Sequence, residues 1–246
     1  MQTQHYAIVD GRMSAACRKT LENYGFFPIL LPQNPSYDTP VCAHPDLSLF
    51  PYPHGMLALK PAYDSVIKQM FEKEGGEVRH KVMCVGEDFK KVSYPADCRF
   101  NFALCGNKLI GNMRVIHPCI AALEEKYGWK KIHVHQGYAK CNISIIGENA
   151  LITEDVGIAA ACEKEKIEVL LLQTKGVALN GYDYGFIGGA SSSVWESSHG
   201  KHMFFCGNLQ AHHEAERIIR FCLAHDVQPL SLSDEPLYDY GSVFLL

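Results

Sequence analysis

The sequence lacks the features of an exported, membrane-spanning or nucleic-acid-binding protein. No apolar run reaches the ~18–20 residues needed to cross a bilayer. The N-terminal stretch MQTQHYAIVDGR has no basic segment followed by an apolar one, so it does not resemble a signal peptide. The net charge of −4 provides no general attraction to nucleic acid or anionic lipid. We therefore expect a cytoplasmic protein with no nucleic-acid or membrane partner.

The ten cysteines contain no CxxC pair. A chain of 246 residues can bury a large core without a disulfide framework, so reduced thiols are expected. No Ser/Gly tract, charge block or low-complexity segment separates one part from another, and we expect a single domain over residues 1–246.

Five segments have apolar residues at helical spacing, and a short apolar run that is typical of a strand follows each one. Gly25, Gly75 and Gly128 follow three of these helices as C′ glycines. The predicted helices are Ser14–Tyr24, Ala62–Glu74, His117–Tyr127, Val156–Lys166 and Leu209–His225, and the strands after them are FFPILL, VRHKVMCV, KIHVH, IEVLLLQ and VQPLSL.

A second kind of segment recurs five times and always begins with Asp or Asn. The copies are DLSLF, NFALC, NISII, DYGFI and DYGSV, which start at Asp46, Asn101, Asn142, Asp183 and Asp239. Their intervals are 55, 41, 41 and 56 residues, and the interval through the termini is 53. A third strand (GMLAL, NKLIG, NALIT or HMFFC) precedes four of the helices, so one strand–strand–helix–strand unit repeats along the chain.

The fifth unit ends without its third strand, and YAIVDGR at the other end supplies one before the first helix. These observations predict an α/β fold, a five-bladed α/β-propeller with pseudo-five-fold symmetry whose ring is closed by the N- and C-terminal strands. The alternative is a doubly wound α/β sheet, which would have about one strand per helix rather than three.

The repeated Asp and Asn residues would face the axis of such a ring. Asp46, Asp183 and Asp239 would be carboxylates around one narrow channel, with the amides of Asn101 and Asn142 and with Tyr240 beside them. Their mutual repulsion would be relieved by a bound cation such as a guanidinium, amidine or ammonium group. The alternative is that each Asp or Asn makes local turn hydrogen bonds.

This repeat pattern resembles the pentein fold of the guanidino-group-modifying enzymes, which include arginine deiminases, amidinotransferases and dimethylarginine hydrolases, and also non-enzymatic ribosome anti-association factors. The stretch from His44 to Phe50, HPDLSLF, is similar to the deiminase motif H-x-D-x-x-F. The resemblance implies that His44 is a general acid/base and that Asp46 binds a guanidinium group. As a whole, the chain looks most like uncharacterised bacterial proteins of this fold.

The family nucleophile is a cysteine in the last blade, whereas Tyr238–Ser242 contains none. Catalytic residues in the family lie on blades two steps apart. The same steps from His44 lead to Cys141 as a nucleophile and to Asp183 as a substrate carboxylate. Lys140 would then lower the pKa of the Cys141 thiol. The alternative is that Cys141 is a buried packing residue.

The remaining motifs are weaker. The stretch FIGGASSS, residues 186–193, could bind an anion through its backbone N–H groups or be a flexible loop. The histidine pairs 133/135, 199/202 and 212/213 have no third ligand at a diagnostic spacing, so we expect no metal and no cofactor. Two functions stay open: a hydrolase or amidinotransferase-like enzyme acting on a guanidine or amidine, and a non-catalytic protein that binds a small cation or a protein partner. The sequence does not indicate an oligomeric state.

Overall fold

The computed structural model describes residues 5–74, 81–86 and 93–246. Their strands are β1 His5–Asp10, β2 Phe26–Leu31, β3 Leu49–Tyr52, β4 Gly55–Ala58, β5 Val82–Cys84, β6 Ala103–Cys105, β7 Lys108–Gly111, β8 Lys130–His133, β9 Ile143–Gly147, β10 Ala150–Thr153, β11 Glu168–Leu171, β12 Trp195–Ser197, β13 Gly200–Phe205, β14 Val227–Ser231 and β15 Phe244–Leu245. Their α-helices are α1 Ala15–Asn23, α2 Pro45–Ser48, α3 Lys60–Glu74, α4 Pro118–Tyr127, α5 Ala139–Asn142, α6 Val156–Lys164 and α7 Ala215–Ala224. Single 3-10 turns cover Thr39–Val41, Ala96–Cys98 and Leu209–Ala211.

The described strands form five small sheets of three strands each, in the orders β15-β1-β2, β3-β4-β5, β6-β7-β8, β9-β10-β11 and β12-β13-β14. In every sheet the middle strand pairs antiparallel with one neighbour and parallel with the strand that follows its helix. Five separate sheets exclude the doubly wound alternative, which requires one continuous sheet.

The two terminal strands lie in the same sheet, as the incomplete last repeat predicts. Ala7 pairs with Leu245 and Ile8 with Phe244, and Tyr6 exchanges two backbone hydrogen bonds of 2.9 Å with Leu246. The first and last segments of the chain therefore complete one repeat of the fold between them.

Local sequence explains the helix boundaries. The Ser14 hydroxyl accepts a hydrogen bond from the Cys17 N–H at the start of α1, and the Asp155 carboxylate caps α6 through the Ile158 N–H. Gly128 ends α4 in the left-handed conformation, with φ of 65°. The apolar faces of α1, α3, α4, α6 and α7 pack on the sheets in five buried clusters, and a sixth buried cluster lies among loop and turn residues that include Tyr37, Leu47 and Leu179. No helix among the described residues is long and apolar enough to cross a membrane.

Two of the predicted elements need correction. The stretch that begins at Asp183 is a loop, and the first strand of its repeat is β12, twelve residues further on. The predicted helix Leu209–His225 is a 3-10 turn followed by α7. Gly75 and the first part of VRHKVMCV lie outside the described residues.

Candidate active site

Segments from three distant parts of the chain meet at one buried group of polar side chains. Asp46 lies in the helical turn α2, just before β3, and Cys141 lies in the equivalent turn α5, just before β9. Asp239 lies in the segment that leads to β15, and the carbonyl of the nearby Gly241 accepts a 3.0 Å hydrogen bond from the Asp46 N–H. Each of these side chains is almost completely buried.

His44, Asp46 and Cys141 form a compact triad. One ligand-type atom from each, a ring nitrogen, a carboxylate oxygen and the sulfur, lies within 4.8 Å of the other two. The Cys141 thiol donates a hydrogen bond of 3.0 Å to Asp46 Oδ2. The thiol and the carboxylate are close enough to exchange a proton directly, and the imidazole is close enough to do so through one bridging water.

The triad retains unused hydrogen-bonding capacity. Within residues 5–74, 81–86 and 93–246, neither ring nitrogen of His44 has a hydrogen-bond partner. No group in these residues donates a hydrogen bond to Asp46 Oδ1. The nearest oppositely charged atom to the His44 ring is Asp239 Oδ1, 3.8 Å from Nδ1. Buried polar atoms without partners are costly, so they mark a place where a ligand can supply the missing contacts.

Asp239 is held by backbone N–H groups. Its Oδ1 accepts from Gly241 and its Oδ2 from Phe186, each at 2.9 Å. Burial nevertheless raises the pKa of its carboxyl group, and the charge of Asp46 raises it further, while His44 and the two backbone hydrogen bonds lower it. A cation bound between these carboxylates would favour their ionised forms.

Lys140, which was expected to lower the pKa of the Cys141 thiol, makes its contacts elsewhere. Its buried ammonium group donates to Ser242 Oγ over 2.9 Å and to the Ile143 carbonyl over 3.3 Å. Ser242 Oγ in turn lies 2.9 Å from Asp46 Oδ2 and 3.0 Å from the Gly188 carbonyl. Lys140 thus reaches the triad through Ser242 rather than through the sulfur.

The expected low pKa of Cys141 is wrong. Burial raises the pKa of this thiol well above its usual value, and the carboxylates of Asp46 and Asp239 raise it further. Burial also lowers the pKa of Lys140, which the same carboxylates partly restore. The thiol is the stable form of Cys141 in this environment, and a nearby positive charge is needed to favour thiolate.

Asn101 orients the turn that carries Cys141. Its Oδ1 accepts from the N–H groups of Lys140 and Cys141 at 2.7 and 3.2 Å. Its Nδ2 donates to Cys141 Sγ over 3.3 Å and to the Asp46 carbonyl over 3.2 Å. Its amide therefore bonds protein atoms on both sides, which gives it a positioning role.

Four of the predicted site residues lie outside the cavity lining: Asp46 and Asn101, described above, and Asn142 and Tyr240. The Asn142 amide donates to the Tyr138 carbonyl over 3.0 Å. The Tyr240 hydroxyl accepts a 3.2 Å hydrogen bond from the Ser14 N–H, and burial raises its pKa to about 12. These contacts agree with the alternative in which such residues make local hydrogen bonds rather than bind a ligand.

His44, Cys141 and Asp239 line a cavity of about 240 Å³. Asp183 also lines it but is exposed, as are Tyr182 and Tyr184. The full lining is Val41, His44, Tyr138, Cys141, Leu179, Tyr182, Asp183, Tyr184, Phe186 and Asp239, with two carboxylates and no lysine or arginine. Charge and aromatic surface both favour a small cation.

The glycine-rich stretch after Phe186 packs against the site instead of forming an exposed loop. The Gly189 N–H donates to the Cys141 carbonyl over 2.7 Å. A Cβ atom on Gly189 would lie 1.9 Å from Asp239 Oδ1, and one on Gly188 would lie 2.4 Å from the Lys140 carbonyl. Glycine is required here because two backbone segments approach each other closely.

The deiminase-like motif is also less regular than the resemblance implies. Phe50 stands four residues after Asp46, one more than H-x-D-x-x-F allows. Its side chain is buried in the cluster that contains Tyr52, Phe100 and Trp129. His44 and Asp46 are the part of the motif that reaches the site.

Two solved structures with the pentein fold are similar to this chain over most of its length. The agmatine deiminase of C. jejuni is 9% identical, with 94% of this chain and 88% of that chain covered and a TM-score of 0.52. A Cys-to-Ser mutant of the DDAH from Pseudomonas aeruginosa, complexed with citrulline, is also 9% identical, with 93% and 92% covered and a TM-score of 0.50. The chain therefore has the fold of the pentein superfamily.

Within that fold, the chain belongs to the family of unknown function DUF6873, whose model matches residues 8–244. No curated protein matches the sequence.

Proposed function

We propose that this chain is a single-domain pentein, with its five sheets arranged as a closed ring, that binds a guanidinium or amidine group and attacks it with Cys141. The observation that carries the proposal is the buried triad of His44, Asp46 and Cys141, two of whose members, His44 and Cys141, line a small acidic and aromatic cavity. One structural neighbour is an agmatine deiminase and another is a DDAH complexed with citrulline, which makes guanidino compounds the first substrate class to test.

The charge of the cluster supports a cationic ligand. Asp46 and Asp239 contribute two buried carboxylates, and Lys140 contributes one buried ammonium group. A guanidinium group would balance the remaining negative charge, and its planar N–H groups suit carboxylate acceptors. Asp46 Oδ1 has no donor among the described residues and is available for this contact.

The reaction would begin when the bound cation lowers the pKa of the nearby thiol. Cys141 would pass its proton to Asp46 Oδ2, and Sγ would bond to the central carbon of the guanidinium. The C–N bond to the leaving amine would then break as His44 supplies a proton. Water would add to the S-linked carbon as one of its protons passes back to His44. The C–S bond would then break, a urea-type product would leave, and Sγ would take back the proton held on Asp46. An amine in place of water would give amidino transfer.

The test is covalent labelling with 2-chloroacetamidine, a cationic reagent of amidine shape, followed by peptide mass spectrometry. We expect Cys141 to be modified ahead of the other cysteines, and Asp46→Asn to slow its labelling at least ten-fold. Neutral iodoacetamide should instead modify Cys84, the exposed cysteine, first. Release of ammonia from guanidine compounds would be measured with wild-type protein and with Cys141→Ser as the inactive control. Equal reactivity of Cys141 toward the two reagents would argue against a cation-assisted nucleophile.

The second candidate is a non-catalytic pentein that binds a small cation. The raised pKa of Cys141 favours it, because the thiol is not activated in the unliganded protein. Saturable binding of guanidinium compounds without labelling of Cys141 and without ammonia release would support this function.

A further inference from the structure

His44, Asp46 and Cys141 also form a set of metal-ligand atoms. Imidazole, thiolate and carboxylate are the three side-chain groups that bind Zn²⁺ in proteins. We propose that this triad is a binding site for Zn²⁺, with the fourth coordination position facing the 240 Å³ cavity.

The separations fit such a site. Tetrahedral Zn²⁺ with bonds of about 2.0–2.3 Å holds its ligand atoms roughly 3.5 Å apart. The three ligand-type atoms here lie within 4.8 Å of one another, and the Cys141 sulfur is 3.0 Å from Asp46 Oδ2. Metal binding would draw the most widely separated of these atoms together by at most roughly 1.3 Å.

Unpartnered atoms give an independent reason to place an ion here. Asp46 Oδ1 and His44 Nε2 have no hydrogen-bond partner within the described part of the chain, and both residues are almost fully buried. A metal bound at Nε2 would leave Nδ1 facing Asp239, 3.8 Å away. A carboxylate behind a metal-bound histidine orients the ring and strengthens it as a ligand.

The charge balance suits a divalent cation. With Cys141 as a thiolate, the three negative groups Cys141, Asp46 and Asp239 face the single ammonium group of Lys140, which leaves two negative charges. Zn²⁺ neutralises them. On binding, the S–H bond breaks, Sγ donates its electron pair to the metal, and one proton leaves through the cavity to solvent. No oxidant or reductant takes part.

Metal binding and covalent catalysis exclude each other, because both use Cys141 Sγ. Where the proposed function holds, Zn²⁺ would therefore regulate it by blocking the nucleophile. The metal site itself does not depend on that function and can be measured without any guanidine substrate.

The experiment titrates the chelator-treated protein with Zn²⁺ by calorimetry and with Co²⁺ by absorption spectroscopy. We expect one equivalent of Zn²⁺ and a thiolate-to-cobalt charge-transfer band. Cys141→Ser should abolish the band and weaken Zn²⁺ binding at least 100-fold, and His44→Ala should weaken binding at least ten-fold. Cys84→Ser and His133→Ala are matched controls at positions outside the triad and should leave both signals unchanged.

Two results would overturn the metal site. The first is the absence of a thiolate-to-cobalt band in the wild-type protein, a test that does not depend on a variant folding. The second is stoichiometric Zn²⁺ binding that persists in Cys141→Ser. The two proposals can fail separately. Labelling of Cys141 by chloroacetamidine without Zn²⁺ binding would leave the covalent function and remove the metal site. Zn²⁺ binding at Cys141, without labelling of Cys141 and without ammonia release, would leave the metal site and remove the covalent function.

Discussion

The Cys141 thiol donates its hydrogen bond to Asp46 Oδ2, 3.0 Å away and 95 residues earlier in the chain. The same oxygen lies 2.9 Å from Ser242 Oγ, which accepts a hydrogen bond from Lys140. Asp46 therefore connects the nucleophile candidate to the buried ammonium group. The resemblance to the H-x-D motif implied instead that the partner of Asp46 is a guanidinium ligand.

Replacement of Lys140 by Met should destabilise the protein strongly. The substitution keeps the volume but leaves the buried carboxylates of Asp46 and Asp239 without their positive counterpart, which costs about 3–5 kcal/mol. The free energy of unfolding would be measured by urea denaturation. Lys201→Met, at an exposed position, is the control and should change it by less than about 0.5 kcal/mol. A loss below about 1 kcal/mol for Lys140→Met would show that the cluster is not balanced by this lysine.

Stability should depend on pH through Glu154. Burial raises the pKa of this carboxyl group from 4.5 to about 7, and its Oε2 accepts a 3.2 Å hydrogen bond from the Ile187 N–H. The native state therefore holds a proton that the unfolded state releases, so stability falls as pH rises from about 4.5 to 7. Over that range Glu154→Gln should gain about 3 kcal/mol relative to wild type.

The measurement is urea denaturation of both proteins at several pH values. Glu216→Gln, which removes an exposed carboxylate, provides the comparison for a surface change. If Glu154→Gln and wild type follow parallel pH profiles, the pKa of Glu154 is the same in the native and unfolded states and burial does not control it.

Gly189→Ala should damage the site without removing any polar group. The added Cβ would lie 1.9 Å from Asp239 Oδ1, so the carboxylate or the backbone must move, at a cost of about 1–3 kcal/mol. Chloroacetamidine labelling of Cys141 should fall at least ten-fold. Gly147→Ala is the matched control, since its Cβ would meet nothing within 4 Å, and it should label like wild type.

Asp183 should affect ligand encounter rather than stability. It lines the cavity but is exposed, so Asp183→Asn should leave the free energy of unfolding within about 0.5 kcal/mol of wild type. Labelling by the cationic reagent should slow about two- to five-fold at low salt, and the difference should shrink as ionic strength rises. Asp234→Asn, exposed and outside the cavity lining, is the control. A salt-independent difference would indicate direct contact with the reacting group.

Much of the fold could be predicted because the spacing of apolar residues indicates the strands and helices of each repeat. The strand–helix–strand pattern, the separate sheets and the pairing of the terminal strands follow from segments such as YAIVDGR and the apolar runs after each helix. The fourth repeat could not be predicted in the same way. DYGFI and DYGSV look alike, but only the second leads directly into a strand, and the difference arises from tertiary contacts such as the hydrogen bond from the Phe186 N–H to Asp239.

The site was predictable where residues repeat and unpredictable where they occur once. The pattern of Asp and Asn residues led to Asp46 and Asp239, and the blade-counting argument led to Cys141, which lines the same cavity as His44. Lys140 and Ser242 gave a weaker signal, because they stand two residues before Asn142 and three residues after Asp239 rather than at repeated positions. The proposed metal-ligand set could not be found from spacing, since Cys141 lies 95 residues after Asp46.

The hydrogen bonds between Tyr6 and Leu246 mean that the two ends of the described chain are already neighbours. A short peptide joining them would leave the β15-β1-β2 sheet intact. New ends could then be opened at the exposed turn between β12 and β13, at Ser198 and His199. Circular permutation would thus change the order of synthesis and of local folding while leaving every native contact of the triad in place.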